Sequence, residues 1–157
     1  MKGARGERSV GVSKEAGKAG AGSADGQKAY WDSSALVAAL HEEGIRMRLH
    51  PESSCTRSHS FAEIFSTLTG GRLGFRYSPD EASGLIASLA EDLQIVELST
   101  HETLAALRSA HHAGVRGGRI HDYIHAMAAQ KVKAIRIFTL NGGDFAGLVE
   151  GTTISPP

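Results

Sequence analysis

Short apolar runs of strand character alternate with helical stripes along most of the sequence, and this alternation constrains the fold more than any other feature. Lys28 to Trp31 reads as a short strand that runs into Asp32-Ser33-Ser34 and then a helix carrying Leu36, Val37 and Leu40. Phe61, Ile64, Phe65 and Leu68 recur at helical spacing until Gly70-Gly71 stops them. Ser78-Pro79-Asp80-Glu81 combines a capping box with proline at the first helical position. It opens a helix striped by Ala82, Leu85, Ile86, Leu89 and Leu93. Ile95 to Leu98 reads as a strand, and Ser99 to Glu102 as a second capping box before a helix with Leu104 and Leu107 that ends near Gly114. Ile120, Tyr123, Ile124 and Met127 stripe the next helix, and Ala134 to Leu140 reads as a buried strand. The pattern predicts an α/β domain whose parallel sheet is covered by helices on both faces.

Residues 1–27 hold 7 of the 19 glycines and almost no large apolar side chains. Such a segment buries too little surface to offset its ordering entropy, so it is expected to be disordered. Residues 28–150 are expected to form the folded domain, and 151–157 a short C-terminal tail. Across the 157 residues, Lys+Arg and Asp+Glu are 17 each, which excludes a binder driven by a global basic excess but not a local basic patch. The single cysteine, Cys55, excludes an intrachain disulfide and a thiolate metal cluster, and suits a reducing, cytoplasmic setting. No apolar run approaches a membrane span, and the basic N-terminus lacks the apolar core of a secretory signal.

Four acids stand apart. Asp32 and Asp144 lie just past the first and last predicted strands, where open parallel sheets place their ligand crevice. Glu63 and Asp122 lie on helices, each about 200° around the helix from the apolar stripe at 100° per residue. An acid opposite a core stripe is ordinarily solvated. Here, however, Glu63 shares its face with His59, Ser66, Thr67 and Gly70, and Asp122 with His125, Ala126 and Ala129. One carboxylate among small or neutral groups is the pattern of a cleft wall. Charge follows the same segments: Arg46, Arg48, Arg57, Arg72 and Arg76 accompany Glu63, and Arg116, Arg119, Lys131, Lys133 and Arg136 accompany Asp122. Acids rimmed by basic groups suit a divalent cation and a phosphate backbone.

The blocks YWDSSALVAAL, TRSHSFAEIFSTLTGGRLG, GVRGGRIHDYIHAMAAQK and IFTLNGGDF resemble, in order and approximate spacing, the four signature blocks of PIN-domain ribonucleases. The likeness is greatest to the VapC-type toxins of type II toxin–antitoxin pairs, and it covers residues 28–148. It implies a PIN-like three-layer fold with a central, mainly parallel sheet flanked by helices. It also implies one pocket in which Asp32, Glu63, Asp122 and Asp144 are both metal ligands and catalytic groups, oriented by Ser34 and Asn141. The implied activity is hydrolysis of RNA phosphodiesters with Mg²⁺, or Mn²⁺ as substitute, by one ion or two. Arg72, Arg76, Arg116 and Arg119 are the candidate RNA contacts. A VapB-type antitoxin that blocks the cleft and a homodimer are the implied partners.

Rival readings are a non-catalytic PIN-like RNA-binding module, a structure-specific DNA nuclease, and phosphoryl transfer through an aspartate. The last needs a second acid beside Asp32, where Ser33 and Ser34 stand. Retention of all four acids weighs against the first, and the compact size, with no inserted arch, against the second. His121 and His125 read as helix surface, His111-His112 as a last helical turn, Cys55 as a small buried residue, and Trp31 and Phe61 as core. Gly117-Gly118 reads as a turn, since no Lys-Ser/Thr follows it as in a phosphate loop.

Overall fold

Among the described residues, five strands of two or three residues each carry the sheet. The computed structural model describes residues 27–157, so the expectation of a disordered segment, apart from Gln27, lies outside the described residues. In chain order the elements are β1 (Ala29–Trp31), α1 (Ser33–His41), α2 (Glu43–Arg46), β2 (Ser54–Thr56), α3 (His59–Thr69), α4 (Pro79–Ala90), β3 (Gln94–Ile95), α5 (Thr100–Ser109), α6 (Arg119–Lys131), β4 (Arg136–Phe138) and β5 (Thr153–Ser155). The sheet order is β3-β2-β1-β4-β5, and every pairing is parallel. With helices on both faces this is a three-layer α/β fold, as the alternation predicts.

Side-chain alternation along the strands makes the two cores. Trp31 and Phe138 face one side and pack on each other, ring centroids 4.4 Å apart, within a cluster that includes Leu36, Ile64, Leu68 and Leu89 from α1, α3 and α4. Tyr30, Cys55 and Ile137 face the other side, with Ala106 of α5, Tyr123, Ile124 and Ala128 of α6, and Phe145. Both predicted capping boxes form. Ser78 accepts from the Glu81 amide while Glu81 accepts from the Ser78 amide, and Ser99 and Glu102 do the same at α5. A 3₁₀ turn over Ala110–Ala113 extends α5, and Gly114 ends it at φ +65°, a left-handed conformation that glycine adopts without strain.

Four expectations need correction. Residues 151–157 are not a tail: β5 pairs with β4 through Ile137↔Ile154 and closes one edge of the sheet. The strand expected over residues 95–98 is only Gln94–Ile95, and the one expected over residues 134–140 is Arg136–Phe138. β2, too short to show a period, has no counterpart in the sequence reading. α6 is not one-sided. His125, Ala126, Ala128 and Ala129 are buried along with Tyr123 and Ile124, because the helix is wedged among β2, α5 and a 3₁₀ turn over Gly142–Phe145. No helix among the described residues is long and apolar enough to cross a membrane.

From β1 the chain builds β2 and β3 on one side, then crosses to β4 and β5 on the other. The carboxyl ends of β1 and β4 therefore form the topological switch point, where open sheets of this type place ligands.

Candidate functional site

Asp32 follows β1 directly and caps α1. Its Oδ1 accepts from the Ala35 amide at 2.8 Å and from the Ser34 hydroxyl at 2.7 Å. Its Oδ2 accepts from the Thr139 hydroxyl at 2.6 Å. Register explains the last contact. Trp31 pairs with Phe138, and the Asp32 amide donates to the Phe138 carbonyl at 3.1 Å, so the next residue of each strand meets the other. The two hydroxyls also accept: Ser34 from the Leu140 amide at 2.9 Å, and Thr139 from the Asn141 amide at 2.9 Å. Ser34 thus holds one oxygen of the Asp32 carboxyl directly. Asn141 contributes through its backbone, and Thr139, which the sequence reading passed over, makes the side-chain contact.

Glu63 sits mid-way along α3. Its Oε2 accepts from His125 Nε2 at 3.0 Å, and its Oε1 is 3.7 Å from His59 Nε2. Burial pushes the carboxyl up, but the hydrogen bond and charge of His125 outweigh it, with help from nearby Ser33 and His59, and the group is held at about 2. The other ring nitrogen of His125, Nδ1, is 2.7 Å from the Tyr30 hydroxyl. Burial raises that hydroxyl far above the ordinary tyrosine range, so it keeps its proton. Because an ionised Glu63 can only accept, the proton of this contact resides on His125 Nε2. His125 is therefore not the helix-surface residue expected. It is 3% exposed and links β1 to α3 through its two ring nitrogens.

Asp122, in the first turn of α6, lines the same cleft as Glu63. Burial pushes its carboxyl above the ordinary range; the charge of Asp144 adds to the push, His125 pulls the other way, and Asp32 and Glu63 add further. One carboxyl thus feels the other three. Asp144 is exposed in the 3₁₀ turn after β4, its amide donating to the Asn141 carbonyl at 3.0 Å. The cleft has a volume of ≈ 400 Å³. A second hollow of ≈ 280 Å³ shares Ser33, Thr67 and Arg72 with it and continues to Leu140 and Asn141.

The four candidate arginines separate. Arg72 lines both hollows. Arg76 folds back against Gly71, and Arg119 donates to the Ala146 carbonyl at 2.8 Å, tying α6 to the loop after Asp144. Arg116 is exposed. Trp31 is fully buried and Phe61 packs against the same core, as expected of structural aromatics.

No protein-family model matches the sequence, and no curated protein matches it. Among solved structures, the chain is similar to a crystal structure of PAE2754 from Pyrobaculum aerophilum, with a TM-score of 0.61 and 17% identity over 81% of this chain and 88% of that one. At that identity the likeness shows the fold alone.

Proposed function

We propose that this chain is a divalent-metal-dependent endoribonuclease of the PIN type, acting as the toxin of a toxin–antitoxin pair. The observation that carries the reading is that Glu63 and Asp122 line one cleft at the switch point of the sheet, where Asp32 follows β1 and Asp144 follows β4. The Asp122 carboxyl is raised by burial and by each of the other three.

The donor set fits the cation. Four carboxylates offer hard oxygens, the preferred ligands of Mg²⁺ and Mn²⁺. Asp32, Glu63, Asp122 and Asp144 would hold the ion. When bound, it supplies Lewis acidity toward a phosphate and lowers the pKa of water. The protein supplies orientation. Three hydrogen bonds fix the Asp32 carboxyl, and His125, braced by Tyr30, fixes one oxygen of Glu63. Arg72, which lines both hollows, would meet a backbone phosphate along the groove. On the same reading a VapB-type antitoxin covers this groove, and the chain works as a cytoplasmic homodimer.

Purified protein incubated with single-stranded RNA and DNA of one sequence tests the proposal. RNA is expected to be cut with Mg²⁺ or Mn²⁺ and left intact with EDTA. Loss of several kcal/mol of transition-state stabilisation corresponds to about 10²–10⁴ in rate, the drop expected for Asp32→Asn and Asp122→Asn. Undiminished cleavage by both variants would remove the assignment. Binding without cleavage would favour a non-catalytic RNA-binding module, and cleavage of DNA alone a DNA nuclease.

A further inference from the structure

The cleft also holds donors of a second chemistry. His59 precedes Glu63 by one turn of α3, its Nε2 3.7 Å from Glu63 Oε1. His121, from the first turn of α6, stacks its ring over that of His59, with centroids 6.0 Å apart and an interplanar angle of 7°. One ligand atom from each of His59, Glu63 and His121 lies within 4.8 Å of the other two. We propose that these three residues bind a transition-metal ion of the Zn²⁺ class, at a site chemically distinct from the four-carboxylate pocket but sharing Glu63 with it.

Two imidazole nitrogens and one carboxylate oxygen make the donor set of a three-ligand zinc site with an open fourth position. Imidazole selects Zn²⁺, Co²⁺, Ni²⁺ and Cu²⁺ over Mg²⁺, which prefers oxygen. A tetrahedral ion about 2.1 Å from its donors holds them about 3.4 Å apart. His59 and His121 are exposed, so their side chains are free to rotate toward a shared ion. Glu63 is prepared for the role. His125 occupies Oε2, which leaves Oε1 toward His59, and Tyr30 anchors His125 in turn. A ligating carboxylate needs this kind of outer hydrogen bonding to be fixed in place. The proposal stands on the donor set and does not rest on the nuclease reading.

The test uses the tag-free full chain, titrated with Co²⁺ and followed by visible absorption. One tightly held Co²⁺ per chain is expected, because both sites draw on Glu63 and exclude each other, with the intense bands of low coordination number, displaced by equimolar Zn²⁺ but not by a hundredfold excess of Mg²⁺. His59→Ala and His121→Ala should each weaken binding by about tenfold or more, in the range found when ligation or its support is lost. Asp32→Asn should leave it unchanged. The adjacent pair His111 and His112, with ring centroids 3.7 Å apart, is the competing surface site, so His111→Ala/His112→Ala should also leave it unchanged. Binding that survives in a His59→Ala/His121→Ala protein, that vanishes with His111 and His112 instead, or that Mg²⁺ displaces would overturn the proposal. Intact Co²⁺ binding by a protein that, once freed of Co²⁺ and supplied with Mg²⁺ or Mn²⁺, cuts no RNA would refute the nuclease reading and leave this site standing.

Discussion

Ser34 and Thr139 each carry one hydroxyl proton, and both protons go to Asp32. Their lone pairs take the amides of Leu140 and Asn141. Removing the Thr139 hydroxyl therefore strands two groups at once, Asp32 Oδ2 and the Asn141 amide. Thr139→Val keeps the shape and removes this hydroxyl. A hydrogen bond to a charged group is worth about 1.5–3 kcal/mol, so the melting temperature should fall by roughly 3–12 °C at about 2–4 °C per kcal/mol. Thr139→Ser should recover most of the loss, and calorimetry that finds the valine protein as stable as its parent would show that the contact is idle. Asp32 was legible in the sequence because a strand ending at Trp31 and a helix beginning at Ser33 leave it one place to be. Thr139 was not, because its contact spans 107 positions and depends on the register of two parallel strands. His125 was hidden for the same reason. Its partners Tyr30 and Glu63 are 95 and 62 positions away, and the helical wheel shows an angle without showing what occupies it.

Local signals explain which elements could be read. Both capping boxes form because their partners are three residues apart, and the stripe of α4 is buried at Ala82 and Leu89 where the period puts it. Strands of two or three residues carry no measurable period, so β2 and β5 were invisible and β3 was misplaced. β5 matters most for the site. The Thr139 amide donates to the Ser155 carbonyl at 3.0 Å, and the Thr153 amide to the Ile135 carbonyl at 2.9 Å, so β5 holds the carboxyl end of β4 in line. Ile154 also packs on the core around Tyr30 and Ile137. Ending the chain after Gly151 removes both hydrogen bonds, the rest of the β4–β5 pairing, the Thr152 hydroxyl bond to the Ala134 carbonyl at 3.1 Å and that apolar contact. At about 1 kcal/mol for each of the first two hydrogen bonds and 1–2 for the partly buried side chain, the melting temperature should drop by at least roughly 6 °C. A dispensable tail would leave it unchanged, and a thermal melt followed by circular dichroism distinguishes the two outcomes.

At the scale of the molecule, the sheet order gathers acids from four distant segments onto one crest. Glu63 comes from the helical layer that packs on Trp31 and Asp122 from the layer that packs on Tyr30, and both reach the same cleft. Yet their surroundings push them in opposite directions, and stability must show it. Asp122 is raised above 3.8, so its ionisation is easier in the unfolded chain. Its stabilising contribution is complete below that unfolded value and is lost as pH rises through the folded one. At pH 7 Asp122→Asn removes the penalty and should melt a few degrees higher than the parent, an advantage that disappears on acidification below 3.8. Glu63 is lowered from 4.5 to about 2, so its contribution is present above 4.5 and is lost as pH falls toward 2. Glu63→Gln should therefore be less stable at pH 7, by on the order of 1–2 kcal/mol once solvent screening is allowed for, and melt lower. That deficit should close by about pH 2. Scanning calorimetry of the three proteins from pH 7 downward reads both differences in one experiment. An Asp122→Asn protein no more stable than its parent at pH 7 would mean that Asp122 is an ordinary surface acid outside the field of the other three.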